Sequence, residues 1–96
     1  MSSLNQINLL LDKHKVDLKN RYNIKQLGIF GSYSRGEQQE KSDIDIFVEF
    51  EKPIGLDFVL LADELEDILK LKVDLVSKGA LKPRTFDIIK KDLIYV

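Results

Sequence analysis

The sequence predicts an α/β chain of the α+β kind, a small mixed β-sheet flanked by helices. Three observations predict it. Apolar residues recur at helical spacing in Leu4, Ile7, Leu11 and Leu18, and again in Leu56, Val59, Leu60, Leu65, Ile68 and Leu69. Between and after these stretches lie short aliphatic runs, residues 24–30, 43–49 and 72–76, bounded by turn or charged residues. The two kinds of segment alternate as α-β-α-β-α-β-α-β, which suits a sheet with helices packed on it.

Each element has a local reason. Ser3-Leu4-Asn5-Gln6 has the Ser-x-x-Gln form of a capping box and starts a helix over residues 4–20. Tyr22-Asn23 turns the chain. Residues 24–30 are apolar on both faces, as a central strand is. Gly31-Ser32 ends that strand, residues 33–37 make a short helical turn, and Gly36 with the polar run 37–42 forms a loop. The second strand covers 43–49, and Glu51-Lys52-Pro53-Ile54-Gly55 is a loop. A helix follows over 56–69 and a third strand over 72–76. Ser77-Lys78-Gly79-Ala80 breaks the pattern. Pro83 suits the first turn of a last helix that runs to Lys91, and residues 93–96 make a short final strand.

Bulk properties narrow the function. Ninety-six residues, 44% of them apolar, make one domain over residues 1–96 with a core of its own. No run approaches the ~20 apolar residues of a membrane span. Residues 1–6 lack the basic and apolar regions of a signal peptide. The chain has no cysteine, which removes disulfides, thiolate metal sites and a cysteine nucleophile. These features are compatible with a cytoplasmic protein. Fifteen basic residues against 16 acidic ones give a net charge of −1. That is not the basic excess of a protein that tracks a long nucleic-acid backbone.

The chemistry lies in three aspartates and one dipeptide. A strand alternates its faces, so Asp43 and Asp45 share one side while Ile44 and Ile46 take the other. Val73 and Leu75 likewise turn Asp74 away from the face they bury. If the two strands are neighbours, three carboxylates converge and need a cation. Oxygen ligands of this kind suit Mg²⁺, completed by water and substrate phosphates. Gly31-Ser32, between a strand and a helical turn, forms an anion site: outward amides, a close backbone approach and a hydroxyl donor. The dipeptide alone is a common turn. Gly-Ser, ten residues and then Asp-x-Asp is far more specific, arising by chance in a chain this size on the order of once in a thousand.

With these residues in view, Gly31-Ser32-Tyr33-Ser34-Arg35-Gly36 followed by Ser42-Asp43-Ile44-Asp45-Ile46 resembles the signature of the DNA polymerase beta-like nucleotidyltransferase superfamily. The short length resembles its minimal nucleotidyltransferase branch, the antitoxins of HEPN toxins. Asp74 stands in a later strand, where the family carries its third carboxylate; Ser34 stands where alanine is frequent.

The resemblance implies a nucleotidyltransferase, polymerase beta palm-like fold and two Mg²⁺ ions. Asp43 and Asp45 would bridge both ions, and Asp74 would complete one and prepare the attacking hydroxyl. Gly31 and Ser32 would hold the phosphates of ATP, with Arg35 offsetting their charge. AMP would pass to a hydroxyl of a partner protein, a tyrosine of the cognate HEPN ribonuclease toxin. Two other readings stay open: an antitoxin that blocks its toxin by occlusion, and a small-molecule transferase of the antibiotic-modifying type.

Other residues carry less. His14 and the basic residues Lys78, Lys82, Arg84, Lys90 and Lys91 read as solvated surface, the latter also as a contact for nucleotide or an acidic partner. Tyr33 reads as helix packing. Leu9, Leu10 and Leu11 are more than one face of a helix needs, which points to an interface.

Overall fold

The computed structural model describes residues 3–39 and 41–96. Helix α1 (Leu4–Tyr22) opens on the capping box: Gln6 N donates to Ser3 Oγ at 3.2 Å and Ser3 N to Gln6 Oε1 at 2.9 Å. It ends two residues later than the sequence implies, with Asn23 in the left-handed region as its C-cap. Then follow β1 (Ile24–Phe30), α2 (Ser32–Arg35), β2 (Ile44–Phe50), α3 (Asp57–Leu69) and β3 (Val73–Ser77). A 3₁₀ turn (Lys78–Ala80), α4 (Pro83–Lys90) and β4 (Ile94–Tyr95) complete the chain. No helix among the described residues is long and apolar enough to cross a membrane.

The four strands lie in the order β3-β2-β1-β4, so β1 is central, as its two apolar faces imply. β1 pairs antiparallel with β2 and β4, while β2 and β3 run parallel, which makes the sheet mixed. Parallel neighbours need a crossover, and α3 supplies it. One face of the sheet is the core. Ile44, Ile46 and Val48 from β2 join Ile24, Leu27 and Ile29 from β1 and meet Ile7, Leu11 and Leu18 of α1 and Leu61, Leu65 and Leu69 of α3. A register shift between Ile24 and Gln26 resets the alternation, so Ile24 and Leu27 reach the same cluster.

The other face carries Asp45, Phe47 and Glu49. Phe47 is 0% exposed, because the Phe86 ring of α4 stacks on it at 5.6 Å and Tyr95 meets it edge-on at 6.3 Å. Gly28 lets β4 come close here: a Cβ at that position would lie 2.7 Å from Leu93 Cδ1 and 3.0 Å from the Ile94 carbonyl oxygen.

α1 and α3 are tied by a polar cluster at the edge of the core. Arg21 Nη1 donates to Glu64 Oε1 at 3.0 Å, and the buried Tyr22 hydroxyl donates to the same oxygen at 2.8 Å. The Arg21 guanidinium holds the Glu64 carboxyl below its usual range, helped by Tyr22 and opposed by partial burial. A lowered carboxyl pKa adds stability above its unfolded value, near 4.5, and that stability is lost as pH falls through the folded value. Glu64→Gln keeps the tyrosine bond and loses the ion pair, so it should cost about 1 kcal/mol at pH 7, discounted for its exposure. Denaturant melts at pH 7 and pH 3 check this: the gap from wild type should narrow at the lower pH.

Candidate active site

Gly31, Ser32, Arg35, Asp43, Asp45 and Asp74 collect at one end of the sheet. β1 runs up to Gly31 at that end, and β2 starts there, because Phe30 pairs with Asp45. β3 is parallel to β2 and starts at the same end, and β4 enters there with Ile94 opposite Ile29. Two local bonds fix where β2 begins. Gln39 N donates to Ser42 Oγ at 2.8 Å and Ser42 N to the Gln39 carbonyl at 3.0 Å, closing the loop just before Asp43. Ile44 N then donates to the Lys72 carbonyl at 2.9 Å, locking β2 to the entry of β3.

Asp45 and Asp74 are direct partners across β2 and β3. Asp43, exposed, immediately precedes β2, on Asp45's side by alternation. Partial burial first, then the nearby charges of Asp74 and Asp43, push the Asp45 carboxyl up from 3.8 to about 6. The positive charge of Arg35 offsets only part of this. Among the described residues no three Asp, Glu, His or Cys side chains stand together as a closed metal-ligand set. Asp45 and Asp74 thus form the close pair, and Asp43 acts on it through its charge. A mutually repelling carboxylate set, partly withdrawn from water, fits a hard cation. Mg²⁺ in particular needs only one or two carboxylates when phosphates and water supply the rest.

Gly31 joins the dipeptide to the aspartates. Its φ of 76° and ψ of −149° lie in a region that only glycine occupies readily. A Cβ there would collide with Asp45 Oδ2. The carboxylate of β2 therefore packs directly against the turn after β1. The amides of Ser32, Tyr33 and Ser34 are first-turn amides of α2, with no intrahelical carbonyl to meet. Ser34 Oγ donates back to the Gly31 carbonyl at 2.9 Å and stiffens the turn. Tyr33 is 1% exposed and anchors α2 on the core, the packing role read for it. The turn is left through Gly36, also at positive φ.

Arg35 is held by two carboxylates. Its Nε donates to Glu37 Oε1 and its Nη1 to Asp92 Oδ2, both at 2.6 Å. Asp92 belongs to the turn between α4 and β4, so the pair ties the end of the chain to the Gly-Ser turn. Sequence reading missed Asp92, since 57 residues separate it from Arg35 and no local pattern marks it. If Arg35 meets phosphate, as the resemblance implies, Arg35→Ala should leave the fold intact and weaken nucleotide binding roughly tenfold, the value of one charge-assisted contact. Titration with a fluorescent ATP analogue measures this; unchanged affinity would make Arg35 a tether only.

Comparison with known proteins gives this geometry a family. Residues 11–96 match the family model described as Nucleotidyltransferase domain. The chain is 54% identical over 98 residues to a Methanocaldococcus jannaschii protein assigned by inference as a protein adenylyltransferase, covering 100% of both. It is 42% identical over 97 residues to protein adenylyltransferase MntA of Thermococcus cleftensis, covering 100% of this chain and 98% of that one. Among solved structures, one described as a minimal nucleotidyltransferase superposes with a TM-score of 0.83 at 32% identity, over 97% of this chain and 95% of that one. A chain of a toxin–antitoxin crystal structure with AMP-PNP superposes with a TM-score of 0.73 at 25% identity, over 88% and 70%. The matched segment begins within α1 and runs through β4, so it takes in every strand and turn that builds this site: the chain belongs to the nucleotidyltransferase domain family.

Proposed function

We propose that this protein is an Mg²⁺-dependent protein adenylyltransferase. It moves AMP from ATP to a tyrosine hydroxyl of a partner, the cognate HEPN-type toxin, and so acts as the antitoxin in the cytoplasm. The observation that carries the reading is the direct pairing of Asp45 with Asp74 beside Gly31, which sets an acid pair against an anion-binding turn. The adenylyltransferase names of the relatives and the AMP-PNP in the related toxin–antitoxin structure support ATP and a protein acceptor.

Asp43, Asp45 and Asp74 would hold two Mg²⁺ ions, which supply charge stabilisation for the attacking and leaving oxygens of an in-line displacement. Gly31 and Ser32 receive the β- and γ-phosphates through backbone amides and the serine hydroxyl, and Arg35 offsets their charge. Asp74 takes the proton of the attacking hydroxyl. The new bond joins the tyrosine oxygen to the α-phosphorus; the bond from that phosphorus to the bridging oxygen breaks, and pyrophosphate leaves.

The test is the fate of label from ATP marked at the α- or the γ-phosphate, with Mg²⁺ and the purified toxin. The reading expects α-label on the toxin and γ-label in pyrophosphate. Transfer of γ-label, or of α-label to a small aminoglycoside in preference to the protein, would overturn it.

A further inference from the structure

The outer face of α4 presents Arg84, Ile88 and Lys91 in a row. Phe86 faces the sheet, stacked on Phe47. At 100° per residue the other three lie about 140–200° round the helix from it. The backbone at Lys91 is still helical, with φ −63° and ψ −32°, so it continues the row. All three are exposed, and Ile88, at 62%, offers an apolar contact between two cations.

The charge around this row departs from the rest of the chain. Residues 78–91 hold five lysines and arginines against one acidic residue, Asp87, in a chain whose net charge is −1. Lys78 is engaged elsewhere: its Nζ lies 3.6 Å from Glu49 Oε2 and 5.0 Å from the Phe86 ring centre. Lys90 is also exposed but lies about 40° from Phe86, outside the row. Arg84 and Lys91 therefore face outward with Ile88 between them.

The C-terminal end of α4 lies towards the site. β3 carries the chain away from Asp74, and α4 brings it back, because the next residues reach Arg35 through Asp92 and pair Ile94 with Ile29. α4 lies on the sheet face that bears Asp45. Group transfer needs the acceptor hydroxyl held at near-attack distance, and a surface next to the site is the place to grip it.

We propose that the outer face of α4 docks the acceptor protein through an acidic patch on that protein that also offers an apolar contact to Ile88. The proposal rests on the reading of the acceptor as a protein. A nucleic-acid backbone would use the two cations and leave Ile88 idle.

The test uses labelled copolymers of glutamate with tyrosine and of lysine with tyrosine, and an RNA oligomer, as probes in fluorescence anisotropy. Wild type should bind the glutamate copolymer in a salt-sensitive way and prefer it to the lysine copolymer. Arg84→Glu with Lys91→Glu should weaken that binding about tenfold, as reversal of two rim charges does. Ile88→Ser should weaken binding of the purified toxin, and ATP affinity should be unchanged in all variants. No binding of the glutamate copolymer, equal binding by the double variant, or tighter binding of RNA would overturn the proposal. AMP transfer is read separately. Binding that depends on Arg84 and Lys91 without transfer to any protein keeps the docking surface and removes the adenylyltransferase reading. Equal transfer to the toxin by the double variant does the reverse.

Discussion

Asp45→Asn should abolish AMP transfer and at the same time make the metal-free protein more stable. Asparagine keeps the shape of the side chain beside Gly31 and removes one charge from a pair that Asp45 forms with Asp74. The proposed cation site then loses a ligand charge, and transfer should fall on the order of 10³-fold. The fold loses a repulsion. Burial, Asp74 and Asp43 raise the Asp45 carboxyl to about 6, so its ionisation opposes folding at neutral pH. The gain should be about 1 kcal/mol, discounted because solvent reaches the group. It is full above the folded value and vanishes below the ordinary value of 3.8. Melts in chelator at pH 7.5 and pH 4 read the sign. A less stable Asp45→Asn at pH 7.5 would mean the carboxylate is held by favourable contacts rather than by strain against its neighbours.

Gly31→Ala should be the most damaging change that adds only a methyl group. It adds the strain of φ 76° with ψ −149° to a collision with the Asp45 carboxylate. The cost should be about 2–3 kcal/mol of stability, with transfer reduced at least 100-fold because the carboxylate must move. Gly36→Ala is the control. Its φ is 71° and no atom lies within 4 Å of the new Cβ, so only the backbone term remains, about 1 kcal/mol. Equal effects at the two glycines would show that packing against Asp45 contributes nothing.

Much of this was legible in the sequence because it is local. Helical spacing, the Ser3–Gln6 cap and strand alternation are short-range signals, and they give the element order and the face on which each aspartate lies. The parallel pairing of β2 with β3 is a tertiary fact, but α3 between them allows a crossover, so the meeting of Asp45 with Asp74 could be stated as a condition. The boundaries moved where a cap decides them. α1 runs on to Tyr22 because Asn23 adopts the left-handed conformation. β2 starts at Ile44 because Ser42 is spent on the loop.

What stayed hidden is long-range. Nothing near Arg35 announces Asp92, and nothing near Gly31 says that its missing side chain makes room for Asp45. The surplus of leucines in α1 is resolved by burial: Leu11 enters the core, while Leu9 and Leu10 face outward.

If the protein silences its partner by covalent modification, Asp74→Asn should separate binding from inactivation. The variant keeps the side chain's shape, and Asp74 is exposed at the start of β3, so fold and partner binding should survive. The measurement is the mass and the ribonuclease activity of the toxin after incubation with ATP, Mg²⁺ and either protein, followed by dilution of the complex. Wild type should leave the toxin heavier by AMP on tyrosine and still silent after dilution. Asp74→Asn should leave its mass unchanged and let activity return. Lasting silence with Asp74→Asn, and no added mass with either protein, would mean that the toxin is blocked by occlusion and not by AMP transfer.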